Sequence, residues 1–273
     1  MYISIDLCGG LGNQLFQIAF VYSLCYKYNA EPIFLRIDFS PSIFKNRPVY
    51  FSTILKKINT IKKRKYDSLK FTTINEQTIG YNTINLHDEN QQYKFVGYFQ
   101  TEKYFKQYKE QILDLFSLDE EIKQQIKQIH ALIKGKFSET ISMHIRRGDY
   151  LKLSKIYAIL QKEYYDKAIS HFSGDSLLVV FSDDINWCKQ NLNYKNMFFV
   201  ENIQIDNLEQ EVIEIQLISM CDHNIIANSS FSWWGAWLNE NENKKVIAPK
   251  KWFKDEKKNR EIKDIYCENW ITI

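Results

Sequence analysis

Short apolar runs alternate with helical stretches along this chain, and most of the runs end in a cluster of glycine, charged or hydroxyl residues. That order constrains the fold more than any other feature, because strand, turn and helix in repetition build α/β units on parallel sheets. The first unit is a strand at 2–7, a glycine-rich turn at 9–12 and a helix over about 13–28, where Leu15, Ile18, Ala19 and Tyr22 recur at helical spacing. A second strand is expected at 33–36, running to Asp38. The stretch 40–92 reads as polar and irregular, and a strand at 95–99 is followed by two polar helices to about residue 134. The series then restarts with strands at 141–145, 177–181, 224–227 and 246–248. Leu208, Val212, Ile215 and Ser219 mark the inner face of one helix, and another is expected over about 231–238. Lys134-Gly135-Lys136 is the best linker, so the expected domains are 1–135 and 136–273.

Net charge is +3, too small to indicate a nucleic-acid partner yet favourable to a site that holds a diphosphate. Lys56, Lys57, Lys62, Lys63, Arg64 and Lys65 form a basic cluster. It reads as a solvated face, with contact to an anionic acceptor or membrane surface as the alternative. The five cysteines are scattered, odd in number and without C-x-x-C spacing, which suits reduced thiols in the cytosol rather than zinc or a disulfide framework. The chain starts in a strand-like run with no basic segment and apolar core of a signal peptide, and no apolar run approaches the roughly 20 residues of a membrane span. A cytoplasmic location is therefore expected.

Four segments carry chemistry. Gly9-Gly10-Leu11-Gly12-Asn13-Gln14-Leu15 links a strand to a helix start, where unpaired N–H groups suit phosphate. Gly10 and Gly12 fit the first two glycines of a dinucleotide fingerprint, but Leu15 stands at the third, and Asp38 lies near where a ribose-binding acid would. An NAD-linked oxidoreductase is thus one alternative. A tight turn alone explains the glycines, but not the polar pair Asn13-Gln14. His144-Ile145-Arg146-Arg147-Gly148-Asp149 sits at a strand end, where ligands gather in open α/β sheets. Two adjacent arginines there suit anions bound bidentately, and Asp149 can orient a guanidinium or act on the acceptor; a surface salt-bridge cluster is the bland reading. Phe181-Ser182-Asp183-Asp184 follows another strand. Its carboxylates can accept from guanine N–H groups or ribose hydroxyls, bind a metal, or cap a helix. No D-x-D spacing occurs in the chain, so no metal is assigned. Asn228-Ser229-Ser230-Phe231 leads into Ser232-Trp233-Trp234-Gly235-Ala236-Trp237, a neutral phosphate cradle at a helix start or a plain serine cap, with the tryptophans read as core. No P-loop, H-E-x-x-H or G-x-S-x-G pattern is present.

Together these segments resemble the bacterial α-1,2-fucosyltransferases of glycosyltransferase family eleven. The resemblance runs through GGLGNQLFQ (9–17), GYFQTEKYF (97–105), HIRRGDY (144–150), EYYDKAI (163–169), FSDD (181–184) and CDHNIIANSSFSWWGAWLN (221–239), and is weakest over 40–92. It implies an α/β, GT-B-type architecture, two Rossmann-like domains facing across a cleft, with the acceptor on the N-terminal side and GDP-β-L-fucose held mainly by the C-terminal domain. It implies inverting transfer to the 2-hydroxyl of a galactoside, with no cofactor beyond that donor substrate and no metal. Arg146 would contact the β-phosphate with His144 near the pyrophosphate, alongside Arg147. Asp183 or Asp184 would read guanine or ribose. Ser229, Ser230 and Phe231 would hold phosphates beside Asn228, and Asn13 would face the reacting centre beyond the Gly10 and Gly12 turn. Asp149 is a candidate base. The acceptor would be a galactose-containing glycan, and a lipid-linked one would bring peripheral membrane contact. A GDP-sugar-binding module without activity is the remaining alternative.

Overall fold

The computed structural model describes residues 1–42, 45–88 and 90–273. They form two compact units, Met1–Leu118 with Glu261–Cys267, and Asp119–Arg260 with Glu268–Ile273. The division falls at Leu118–Asp119, fifteen or so residues before the expected linker, for a packing reason. Helix Glu120–Lys134 lies against helix Gln210–Met220 of the second unit. At its end Lys134 Nζ, Thr140 N and Thr140 Oγ1 converge on Asp222 Oδ2 at 3.0, 2.8 and 2.9 Å. The segment Glu261–Cys267 belongs to the first unit because Asp264 accepts from Tyr81 N at 3.1 Å and pairs with Lys103 Nζ at 2.6 Å.

The first unit is built on a parallel sheet in the order Glu31–Pro32, Tyr2–Ile5, Gln92–Val96, Phe71–Asn75. Helix Leu11–Tyr28 packs on it through residues buried on nearly every face, among them Leu15, Phe16, Ile18, Ala19 and Phe20. The expected strand at 33–36 is divided. Ile33 N donates to Ile3 O, but Phe34 N donates to Asn59 O, so the chain leaves the main sheet and Phe34–Leu35 pairs with Thr60–Ile61 in a separate ladder. Residues 43, 44 and 89 of the stretch expected to be irregular lie outside the described residues. That stretch also supplies the edge strand Phe71–Asn75, whose half-polar sequence and mostly exposed side chains leave little alternation to read. The basic cluster includes the short helix Lys63–Asp67, with Lys63, Arg64 and Lys65 exposed.

The second unit carries six parallel strands in the order Met197–Phe199, Leu177–Ser182, Thr140–Ile145, His223–Ile225, Val246–Ala248, Ile271–Thr272. Numbered along the chain from Thr140, this is 3-2-1-4-5-6, the doubly wound order, with both faces covered. On one face Ile141, Met143 and Ile145 join Tyr165, Ala168, Val180 and Ile225 in a buried cluster. Alternation sends Ser142 and His144 to the other face, where His144 meets the ring of Phe231 at the start of helix Ser230–Trp237. Trp233, Trp234 and Trp237 are core residues, as expected. Gly235 lets this helix close on Gln210–Met220: a Cβ there would lie 2.3 Å from Ile218 Cγ2. Among the described residues no helix is long and apolar enough to cross a membrane.

Candidate functional site

Strand order assembles the site. Thr140–Ile145 lies between Leu177–Ser182 and His223–Ile225, so three predicted segments emerge side by side at the C-terminal edge: Arg146-Arg147 in the middle, Asp183-Asp184 on one flank and Asn228-Ser229-Ser230 on the other. The order reverses between Thr140–Ile145 and His223–Ile225, the place where such sheets open a crevice for ligands.

Both arginines are held by carboxylates. Arg146 Nη1 is 3.0 Å from Asp183 Oδ2, and Nη2 donates to Asp149 Oδ1 at 2.7 Å. Burial works against the Arg146 charge, but the Asp183 and Asp149 carboxylates outweigh it and push the pKa up, so the guanidinium is permanently charged. Arg147 donates its backbone N–H to Asp183 Oδ1 at 2.8 Å and Nε–H to Asp184 Oδ2 at 3.3 Å, and its guanidinium lies 3.7 Å from the Trp187 ring centre. Asp184 also caps helix Ile185–Asn191 by accepting from Trp187 N. Capping and arginine holding therefore coexist on the acidic pair. Gly148 is required by this packing, since a Cβ there would stand 2.5 Å from Asp183 Oδ2.

His144 is buried, and that burial together with the Arg146 charge pushes its pKa down to about 3. It is neutral at physiological pH, and its Nδ1 is buried without a partner among the described residues. Asn228 clasps two loops, donating Nδ2–H to Ala158 O at 2.9 Å and Trp252 O at 2.7 Å. Its Oδ1 is buried and unpaired, while its carbonyl accepts from Tyr150 Oη at 2.9 Å. Ser229 is the N-cap residue of helix Ser230–Trp237, but its side chain makes no capping bond, so the plain serine-cap reading does not account for it.

Gly10, Gly12 and Asn13 belong to the first unit, and the other predicted residues belong to the second. Gly10 is the N-cap of helix Leu11–Tyr28 with ordinary φ −77°; the left-handed residue is Gly9, at φ +79°. Asn13 Oδ1 accepts from Gln100 Nε2 at 2.8 Å. Gln14, whose polarity a tight turn left unexplained, clamps that turn: Nε2 reaches Gly9 O, Ser40 Oγ and Pro48 O at 2.9–3.1 Å.

Sequence reading passed over Glu214. It stands on helix Gln210–Met220 beside the apolar positions that marked the inner face, and accepts from Gln210 Nε2 at 2.9 Å. Burial pushes its carboxyl up to about 7 against that hydrogen bond, and the charges of Glu211 and Asp183 add to the rise. An acid between Ile213 and Ile215 was the available signal. Among the described residues no group of three or more His, Cys, Asp or Glu side chains is placed to hold a metal ion.

The family model of glycosyl transferase family 11 matches residues 2–273. The chain belongs to glycosyltransferase family 11. It is 32% identical to the O-antigen biosynthesis glycosyltransferase WbnK of Escherichia coli, over 98% of this chain and 99% of that protein. It is also 32% identical to an α-1,2-colitosyltransferase of Escherichia coli, over 98% and 97% of the two chains. Among solved structures, NodZ α-1,6-fucosyltransferase soaked with GDP-fucose superposes with a TM-score of 0.57 at 14% identity, covering 86% of this chain and 92% of that one. The family 11 chain thus has the expected α/β, GT-B-type fold and is a glycosyltransferase, which sets aside the NAD-linked alternative.

Proposed function

We propose that this family 11 chain moves L-fucose from GDP-β-L-fucose to the 2-hydroxyl of a galactoside, with inversion and without a metal, giving an α-1,2 linkage. The observation that carries the reading is Arg146, a permanently charged guanidinium fixed by Asp183 and Asp149 at the switch point of a doubly wound sheet. In the reaction the acceptor oxygen forms a bond to C1 of the sugar. The bond from C1 to the β-phosphate oxygen breaks, the electron pair leaves with GDP, and the hydroxyl proton passes to the departing phosphate or to water. The negative charge that grows on GDP is met by Arg146 and Arg147 and by the amides at the start of helix Ser230–Trp237. A preorganised donor of this kind is worth about 2.7–4 kcal/mol in the transition state.

In this reading Ser229, Ser230 and Phe231 cradle the phosphates, and neutral His144 offers Nδ1 beside them. Asn228 contributes its unpaired Oδ1. Because Asp183 and Asp184 are engaged with the arginines, we assign them to holding those side chains, and nucleotide reading passes to Glu214, whose carboxyl oxygen can accept from guanine N–H donors. Asp149 is bound to Arg146, and an oxocarbenium-like centre asks little of a base, so Asp149 acts by orienting the arginine. Asn13 acts on the transferred sugar, with Gly10 and Gly12 shaping the turn that bears it. The α-1,2 linkage is supported by the name of the colitosyltransferase relative, and a polysaccharide acceptor by that of the O-antigen enzyme. A lipid-linked acceptor would place the reaction at the cytoplasmic membrane face.

A colitosyltransferase among the relatives makes GDP-colitose the competing donor. The test is GDP release from each donor with a panel of galactosides, with and without EDTA. Galactoside-dependent release from GDP-fucose that survives EDTA, with a 2-linked product by NMR, supports the proposal. Preference for GDP-colitose changes the donor; loss with EDTA removes the metal-free mechanism; GDP binding without turnover on any acceptor supports an inactive binding module.

A further inference from the structure

In the first unit, numbered along the chain, the strands run 2-1-4-3, so Tyr2–Ile5 and Gln92–Val96 lie side by side at the centre of the sheet and parallel. Both strands run out to the edge where ligands gather in such sheets. The turn after Gln92–Val96 departs from ordinary backbone: Gly97 has φ +154° and Phe99 φ +52°. A left-handed phenylalanine costs about 1–3 kcal/mol and persists only where its surroundings over-determine it. Here they do. Phe99 is buried and stacks on Phe20 at 3.8 Å and 4°, with Phe95 and Tyr104 edge-on. Glu76 receives the backbone N–H groups of Tyr98 and Phe99 at 2.7 and 2.9 Å, and Gln17 Nε2 donates to Gly97 O at 2.8 Å. A Cβ at Gly97 would meet Glu76 Cβ at 2.4 Å, so the clamp and the glycine require each other.

The residue this turn delivers is Gln100. Its Nε2 donates to Asn13 Oδ1 at 2.8 Å, which fixes which end of the Asn13 amide is oxygen and which is nitrogen. The Asn13 Nδ2 end lies over Gly9, where a Cβ would approach it to 2.2 Å, so the left-handed Gly9 makes room for that orientation. We propose that Gln100 is a positioning residue that sets the amide of Asn13 for the transfer step, and that Glu76 holds Gln100 in place by clamping the 97–99 turn. The inference rests on the proposed role of Asn13. It accounts for a strained turn, a half-buried carboxylate and a paired glutamine that the phosphate-binding chemistry leaves unused.

The experiment is a double-mutant cycle on turnover of GDP-fucose with the best galactoside. Gln100→Leu keeps bulk and removes the donor; it is expected to lower kcat at least tenfold while KM for GDP-fucose stays within twofold. In an Asn13→Ala background the same change is expected to alter kcat less than twofold, because there is no amide left to orient. A merely structural role would lower kcat in both backgrounds. Gln100→Glu is the isosteric second variant; it sets an oxygen against Asn13 Oδ1 and is expected to lose as much. Glu76→Gln is expected to show a smaller loss in the same direction. Multiplicative effects of Gln100→Leu and Asn13→Ala, or a Gln100→Glu enzyme within twofold of the unaltered chain, would overturn the inference and leave the fucosyltransferase reading standing. Absence of turnover in the unaltered chain would remove both.

Discussion

Replacing Gly148 by alanine tests whether Asp183 must sit where it does. The new Cβ would stand 2.5 Å from Asp183 Oδ2 and 3.0 Å from its Cγ, and ordinary contact begins at 3.4 Å, so the carboxylate must move by about 0.9 Å. That carboxylate accepts from Arg147 N at 2.8 Å and pairs with Arg146 Nη1 at 3.0 Å, so a shift of this size weakens both. Hydrogen bonds to charged groups contribute about 1.5–3 kcal/mol, but the Arg146 and Asp183 side chains are 22% and 24% exposed, which lowers the expected loss to about 1–2 kcal/mol. Alanine in place of glycine in a helix returns up to about 1 kcal/mol, less in the first turn of Gly148–Lys152. Net stability should therefore fall by no more than about 1–2 kcal/mol. Turnover should fall far more, by one to two orders of magnitude, because an arginine displaced by about 1 Å loses its alignment with the charge it stabilises. Urea denaturation and steady-state GDP release on the same preparation measure the two effects. A folded Gly148→Ala enzyme with turnover within threefold of the unaltered chain would refute the claim that the Asp183–Arg146 geometry governs the reaction.

Arg146→Ala should lower turnover at least a hundredfold while circular dichroism and the urea midpoint still report a folded chain; wild-type-like turnover in that folded variant removes the phosphate role. His144 has a folded pKa pushed down to about 3, below its ordinary value of about 6.5, so the unfolded chain binds the extra proton between those values. Stability should therefore drop as pH falls below about 6.5, and His144→Asn should flatten that slope between pH 7 and pH 5; parallel slopes would contradict it. Asp222 is held below its ordinary pKa, where burial opposes the shift but the Lys134 and Thr140 hydrogen bonds prevail. Its contribution is present above about pH 4 and is lost as pH falls through the folded value. Asp222→Ala should cost about 1–3 kcal/mol at pH 7 in urea titrations and progressively less below pH 4.

The placement of the candidate site's segments was readable because each directly follows an apolar run, and a strand followed by Arg146-Arg147 or Asp183-Asp184 can be recognised without knowing its neighbours. The parallel α/β class followed from the same alternation, since a strand buried on both faces shows as a continuous apolar run such as 177–181. The runs 141–145 and 224–227 appeared as Thr140–Ile145 and His223–Ile225. Legibility failed where pairing partners decide the outcome. Nothing local in 31–36 says that Ile33 bonds the main sheet while Phe34 bonds Asn59. The half-polar edge strand Phe71–Asn75 forms because Gln92–Val96 lies beside it.

What the sequence determined by itself was local: residue types, their order, and the strand–turn–helix grammar that places polar groups at helix starts, all set by short-range sterics and hydrogen bonding. Tertiary structure alone decided which strand ends are neighbours. It set Asp183 between Arg146 and Arg147, tied Asn228 to Ala158 and Trp252, and brought Gln100 to Asn13. It also made Glu214 a titrating acid near pH 7 and His144 a neutral base. The physical reason is that charge state and hydrogen-bond partnership depend on distance and burial, and both are properties of the folded packing that no stretch of sequence carries alone.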